Sequence, residues 1–246
     1  MGSLKPNIDT NLYKIDSEYL CSGKKIGNIK PVPLDQIKKE FNAFEPININ
    51  STRHLTALYE LFPPYLLKEC NSTDWKLLEA MSRFDKRLNT FVVGCFDNQP
   101  LELKQLSYKW RFKDNVKWKT KVGTSPNGTL FIRIFTDEGT VYVIEGHRDS
   151  LTAELLGLDF IMVPYAGFKL KNTESLLHEV TGRKVVFIIE DKPAFKCMMK
   201  IAKAIEPVAD HIVMLQLLEG KKMDLSDYVF TKNSIKEVLD GLKDKE

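Results

Sequence analysis

Acidic residues gather just beyond three apolar runs in the C-terminal half of the chain. Val141-Tyr142-Val143-Ile144 leads into Glu145-Gly146-His147-Arg148-Asp149, and Val185 to Ile189 leads into Glu190-Asp191-Lys192. The run from His211 to Leu217 is followed at a short remove by Asp224-Leu225-Ser226-Asp227. Carboxylates that converge suit a hard divalent cation with oxygen ligands, and such a cation suits chemistry on phosphate-bearing substrates.

Convergence needs elements that bring those positions to one place. The apolar runs read as strands at 141–144, 159–163, 184–189 and 211–217, with helical patterns near 150–157, 173–180 and 194–204 between them. Strands alternating with helices predict a parallel sheet. Its strands would end on one edge, where open α/β sheets carry their sites. Pro193 suits the first turn of the 194–204 helix. Asp149 could cap a helix beginning at Ser150, and Glu190 and Asp191 stand where a helix dipole favours acids in any case. A glutamate followed by glycine at a strand end, as in Glu145-Gly146, is harder to explain by structure alone. His147 reads as loop surface, His54, His178 and His211 as incidental, and the Met198-Met199 pair as core. Gly167 would line the site or simply turn the chain.

The first half is mixed. Residues 1–46 are polar and proline-punctuated, with one helical pattern at Leu34 to Phe41, and read as a leader that packs loosely or wraps the body. Ser51-Thr52 and Thr73-Asp74 are candidate helix caps, and Pro63-Pro64 breaks the first of those helices. Strands are expected at 91–96, 103–112 and 129–135, so the division with the parallel region falls near 138/139. The net charge of +3 is too small to name a partner. Its distribution says more, because Lys104, Lys109, Arg111, Lys113, Lys117, Lys119, Lys121 and Arg133 face only Asp114 across that stretch, with Trp110, Phe112 and Trp118 interleaved. Cations mixed with aromatics suit a surface that follows a phosphate backbone and stacks bases. The plainer alternative is a solvated hairpin with lysines outward and aromatics inward.

The four cysteines (Cys21, Cys70, Cys95 and Cys197) form no CxxC pair or zinc spacing and read as reduced thiols. There is no signal-peptide pattern and no apolar run long enough to span a bilayer, so the expectation is a cytoplasmic protein without a membrane partner.

Val143-Ile144-Glu145-Gly146-His147-Arg148-Asp149-Ser150-Leu151-Thr152-Ala153 resembles the opening motif of the Toprim domain: a strand, Glu-Gly, then an acid at a helix start. The spacing to Glu190-Asp191 and to Lys222-Met223-Asp224-Leu225-Ser226-Asp227 looks most like the primase branch, the DnaG-type primases of bacteria and phages. Lys117-Trp118-Lys119-Thr120 through Asn127-Gly128-Thr129-Leu130-Phe131 resembles the basic template-contacting element that precedes Toprim there. The resemblance covers about residues 105–230.

It implies an α/β fold: a C-terminal Toprim domain at 139–232 with a mostly parallel sheet flanked by helices, a smaller α+β basic subdomain at 47–138, and a C-terminal helix within 233–246. It implies synthesis of short RNA primers on single-stranded DNA from nucleoside triphosphates, with Mg2+ or Mn2+. Glu145 and Asp149 would be catalytic, and Glu145, Glu190, Asp191 and Asp224 would hold the metal. Lys109, Arg111, Lys117, Lys119, Lys121 and Lys192 would hold nucleic-acid or nucleotide phosphates. Alignment on Pro193-Ala194-Phe195 places Glu190 at the first aspartate of the family's Asp-x-Asp and Lys192 at the second, so a permanent positive charge would stand where a metal would sit. A shift of one residue restores Asp191 as a ligand. With no zinc module and no Walker loop in the sequence, a zinc-module protein or a replicative helicase is an expected partner. Two alternatives stay open: a Toprim nuclease, and a non-catalytic nucleic-acid-binding module.

Overall fold

A computed structural model describes residues 32–86, 90–97, 102–112, 115–120, 130–164, 170, 173–219 and 221–245. The expected positions 1–31, Lys113, Asp114, Lys121 and Gly167 lie outside them. The first half runs α1 (Leu34–Ala43), β1 (Glu45–Pro46), α2 (Thr52–Tyr59), α3 (Pro64–Glu69), α4 (Ser72–Met81), β2 (Ser82–Asp85), β3 (Thr90–Asp97), β4 (Glu102–Phe112) and β5 (Asn115–Thr120). The strands form one antiparallel sheet in the order β1-β2-β3-β4-β5. The second half runs β6 (Phe131–Arg133), β7 (Thr140–Glu145), α5 (His147–Leu155), β8 (Phe160–Val163), α6 (Glu174–Val180), β9 (Lys184–Ile188), α7 (Lys192–Ile205), β10 (His211–Leu215), α8 (Leu225–Tyr228), a 3-10 turn (Val229–Thr231) and α9 (Ile235–Lys243).

Its sheet has the order β10-β9-β7-β8-β6 and is parallel except at β6. This is the expected α/β class: a mostly parallel sheet flanked by helices, preceded by a smaller antiparallel sheet. β6 falls before position 138 yet pairs with β8 rather than with the antiparallel strands.

Near-continuous apolar runs make these strands because both faces are covered. Val141, Val143, Ile161, Val185 and Phe187 face one layer with Leu176 and Val180 of α6 and Cys197, Met198, Ile201 and Ile205 of α7. Tyr142, Ile144, Phe160, Met162, Val186 and Ile188 face the other. There they meet Leu151 and Leu155 of α5, Leu225 and Tyr228 of α8, and Val238 and Leu242 of α9. The same core continues through Leu58, Phe62, Leu66, Phe84 and Phe91, so the two sheets share one interior.

Some local expectations change. Ser51 caps α2 as expected, accepting from the His54 amide. The α4 helix starts at Ser72, ahead of the expected Thr73-Asp74 cap. α1 is anchored by Ile37 and Phe41, buried with Val92 of β3, so this part of the leader is not loosely packed. α5 starts at His147, three residues earlier than expected, because Gly146 makes the turn at φ 91°. That conformation is strained for any residue with a Cβ, which gives the glycine after Glu145 a backbone reason.

Candidate functional site

Glu145 is the last residue of β7, and the Gly146 amide donates to the Val163 carbonyl at 2.9 Å, locking the strand end against β8. In the β7–β9 register Val143 stands opposite Phe187. Continued by three residues, it sets Gly146 level with Glu190, so Glu145 and Glu190 leave neighbouring strands one residue apart. Such strands lie about 4.8 Å from one another. Asp191 follows as the N-cap of α7, accepting from the Ala194 amide at 2.9 Å.

Between Glu190 and Asp191 lies a cation the sequence reading did not assign. The Lys222 ammonium is 3.3 Å from a Glu190 oxygen and 3.1 Å from an Asp191 oxygen. Lys192, expected to bring positive charge here, is exposed at the first position of α7. Nothing in sequence spacing signalled Lys222, beyond its lying two residues before Asp224. Its reach depends on how the segment after β10 folds back.

Asp149 and Asp224 do different work. Asp149 is 3 % exposed. One of its oxygens accepts from the Leu225 amide at 3.2 Å, and the other from the Ser226 amide at 3.0 Å and from the Ser226 hydroxyl. Asp224 accepts from the Asp227 amide at 2.6 Å, and its same oxygen lies 3.0 Å from the Ser226 hydroxyl, whose single proton serves one of the two carboxylates at a time. Both carboxylates therefore serve the start of α8, where free amides and the helix dipole welcome negative charge. Asp149 is not the cap of its own helix, as the sequence suggested, but in effect a cap for α8. Arg148 adds a second tie, 2.9 Å from Asp227.

The electrostatics follow. Burial pushes the Asp149 carboxyl up, Asp224 beside it pushes the same way, and the bonds from Ser226 and Leu225 oppose them. Glu190 is raised by burial, with Lys222 opposing and Asp224 and Asp191 adding to the rise. Asp191 is lowered by the Ala194 amide and by Lys222. Lys222 is raised by its bond to Asp191 and by Glu190. His147, expected on the surface, is 4 % exposed, and burial lowers its pKa to about 4.

Two neighbouring carboxylates are donors of a kind that suits a hard cation, and the Lys222 ammonium lies between them. Glu190 and Asp191 already hold a positive charge between them, and magnesium is commonly held by only one or two carboxylates plus phosphate oxygens. The set is small. Among the described residues no three histidine, cysteine or acidic groups come together to hold an ion.

The basic segment forms the β4–β5 ribbon at the edge of the antiparallel sheet. Tyr108 pairs with Lys119, Lys109 with Trp118, Trp110 with Lys117 and Arg111 with Val116. Paired positions share a sheet face, so aromatic and basic positions alternate on both faces rather than sorting into an apolar and a charged side. Among the described residues, Cys70 and Cys197 form no disulfide and no helix is long and apolar enough to cross a membrane.

An open, mostly parallel sheet joined to a smaller antiparallel sheet defines a fold class. Solved structures share it. The chain is similar to the DnaG primase catalytic domain bound to single-stranded DNA (11 % identity, TM-score 0.51, 86 % of this chain and 79 % of that one). It is similar to the DnaG catalytic core at 10 % identity and TM-score 0.53, over 86 % of this chain and 78 % of that one. A DNA primase domain from Pseudomonas aeruginosa matches at 13 % identity and TM-score 0.53, over 87 % and 79 %. The fold is thus that of DnaG-type primase catalytic cores. No family model and no curated protein matches the sequence.

Proposed function

We propose that this protein is a primase-type core that holds single-stranded DNA and makes short RNA primers on it from nucleoside triphosphates. What supports the reading is one observation: Glu145, Glu190 and Asp191 leave adjacent strands at one sheet edge in a chain with the primase-core fold. The ribbon positions Lys109, Arg111, Lys117 and Lys119 would hold template phosphates, with aromatic positions among them for stacking. Glu145, half-buried at the strand end, would be the acid nearest the reacting hydroxyl. Glu190 and Asp191 would hold Mg2+ or Mn2+, which when bound supplies neutralisation of triphosphate charge. Asp149 and Asp224 would act as positioning residues that fix α8 and the segment carrying Lys222.

A second reading, a nucleic-acid-binding module without catalysis, draws on the engagement of those two aspartates with α8 and on Lys222 lying within the remaining pair. Primer synthesis on a single-stranded template with labelled nucleotides separates the two. RNA products that disappear with Glu145→Gln, while strand affinity is unchanged, support the polymerase reading. Salt-sensitive binding without product and indifferent to chelator supports the module. Cleavage of supercoiled plasmid in place of synthesis would favour a nuclease.

A further inference from the structure

Lys222 follows β10 on the segment that leads to Asp224, and its side chain is 65 % exposed apart from its contact with Glu190 and Asp191. Those two side chains are 17 % and 32 % exposed. Asp224, a further negative charge felt at Glu190, comes two residues after the lysine. The other basic groups nearby are otherwise placed: Lys192 and Lys221 point to solvent, and Arg148 is paired with Asp227. The ammonium therefore compensates two adjacent carboxylates at the position a divalent ion would take. A flexible four-carbon stem lets it leave without disturbing the helix starts that Asp191 and Asp224 cap.

We infer that Lys222 is a tethered counter-ion of the Glu190–Asp191 pair, and that a divalent cation binds there only by displacing its ammonium. Like charges at this separation exclude one another, so ion and lysine compete for the same oxygens. The inference rests on the reading of Glu190 and Asp191 as the cation ligands, and not on any polymerase activity. It makes ion affinity a property of the placement of Lys222 as well as of the carboxylates. It also means that ion binding releases an ammonium into solvent beside the site, where it could meet a phosphate.

The test is Mn2+ titration of the purified full chain, with free ion followed by electron paramagnetic resonance. Wild type is compared with Lys222→Met and with Lys222→Met/Glu190→Gln, and circular dichroism establishes that each is folded. The expected result is at least about a tenfold tighter ion affinity in Lys222→Met, abolished in the double variant. Equal binding by wild type and Lys222→Met would overturn the counter-ion role while leaving the ligand assignment standing. Binding by neither would overturn both. A second measurement needs no variant: limited acylation of wild-type lysines, read by peptide mass spectrometry with neighbouring Lys221 as internal control. Lys222 should react several-fold more slowly than Lys221 without ion and approach its rate as Mn2+ is added. Equal rates without ion would sink the proposal.

Discussion

The two edges of the parallel sheet handle charge in opposite ways. At the edge where the strands begin, Asp159 and Arg183 form a buried ion pair, with side chains 4 % and 6 % exposed. Asp159 also accepts from the Phe135 amide and the Thr136 hydroxyl, while Arg183 donates to the carbonyls of Thr136, Glu138 and Gly139. Donors and acceptors there are matched, and the network fastens the 135–139 turn under the sheet. At the edge where the strands end, Lys222 lies between Glu190 and Asp191, partly open to water, and Asp224 adds a further negative charge felt at Glu190. The closed edge is built for stability. The acid-rich edge leaves negative charge for something else to compensate.

The largest test of that contrast is Asp159→Ala. Removing one partner of a buried pair strands the other, so we expect a loss of about 3–5 kcal/mol in denaturant unfolding. A loss under about 1 kcal/mol would mean that the closed edge is not what holds the sheet.

His147, beneath the acid edge, gives the next effect. The unfolded chain takes up its proton near pH 6.5, the folded one near 4. Its contribution to stability is thus full above pH 6.5 and falls as pH drops towards 4, by about 2–3 kcal/mol at pH 4.5. Urea unfolding at several pH values should show that slope, and His147→Gln should flatten it.

Asp149→Ala should cost about 1–3 kcal/mol, because two amides and a hydroxyl at α8 lose their acceptor. Smallest on stability are Glu145→Gln and Lys222→Met, each within about 0.5 kcal/mol in thermal melts. The first should nonetheless abolish any primer synthesis. A large destabilisation from either would erase the distinction between the two edges.

Much of the parallel half was legible because strands buried on both faces announce themselves as apolar runs; the backbone reason for the glycine after Glu145 was not, and came from its φ of 91°. α5 shows where legibility stopped. His147-Arg148-Asp149-Ser150 is polar enough to suggest a surface, yet every residue of this helix except Arg148 is buried. Burial is tolerated because Ser150 and Thr152 bond back to carbonyls of their own helix, while Glu154 and Asp149 find partners elsewhere in the fold, Arg133 and the start of α8. None of those partners is visible from local periodicity. The place of Lys222 was hidden for the same reason. The sequence reading put Lys192, a neighbour in sequence, at the acid pair, whereas Lys222, a neighbour in space, is the lysine that contacts it.

The link from Asp149 to Ser226 also bears on synthesis. A chain emerging from the ribosome completes β7, α5 and β9 well before Lys222, Asp224 and Ser226 exist. During that interval Asp149 has no amides to receive it, and the Glu190–Asp191 pair has no ammonium. The acid edge therefore cannot be completed until the segment after β10 has been synthesised. A nascent chain that already resembles the finished protein in outline would not yet have its site, which separates the timing of folding from the timing of function.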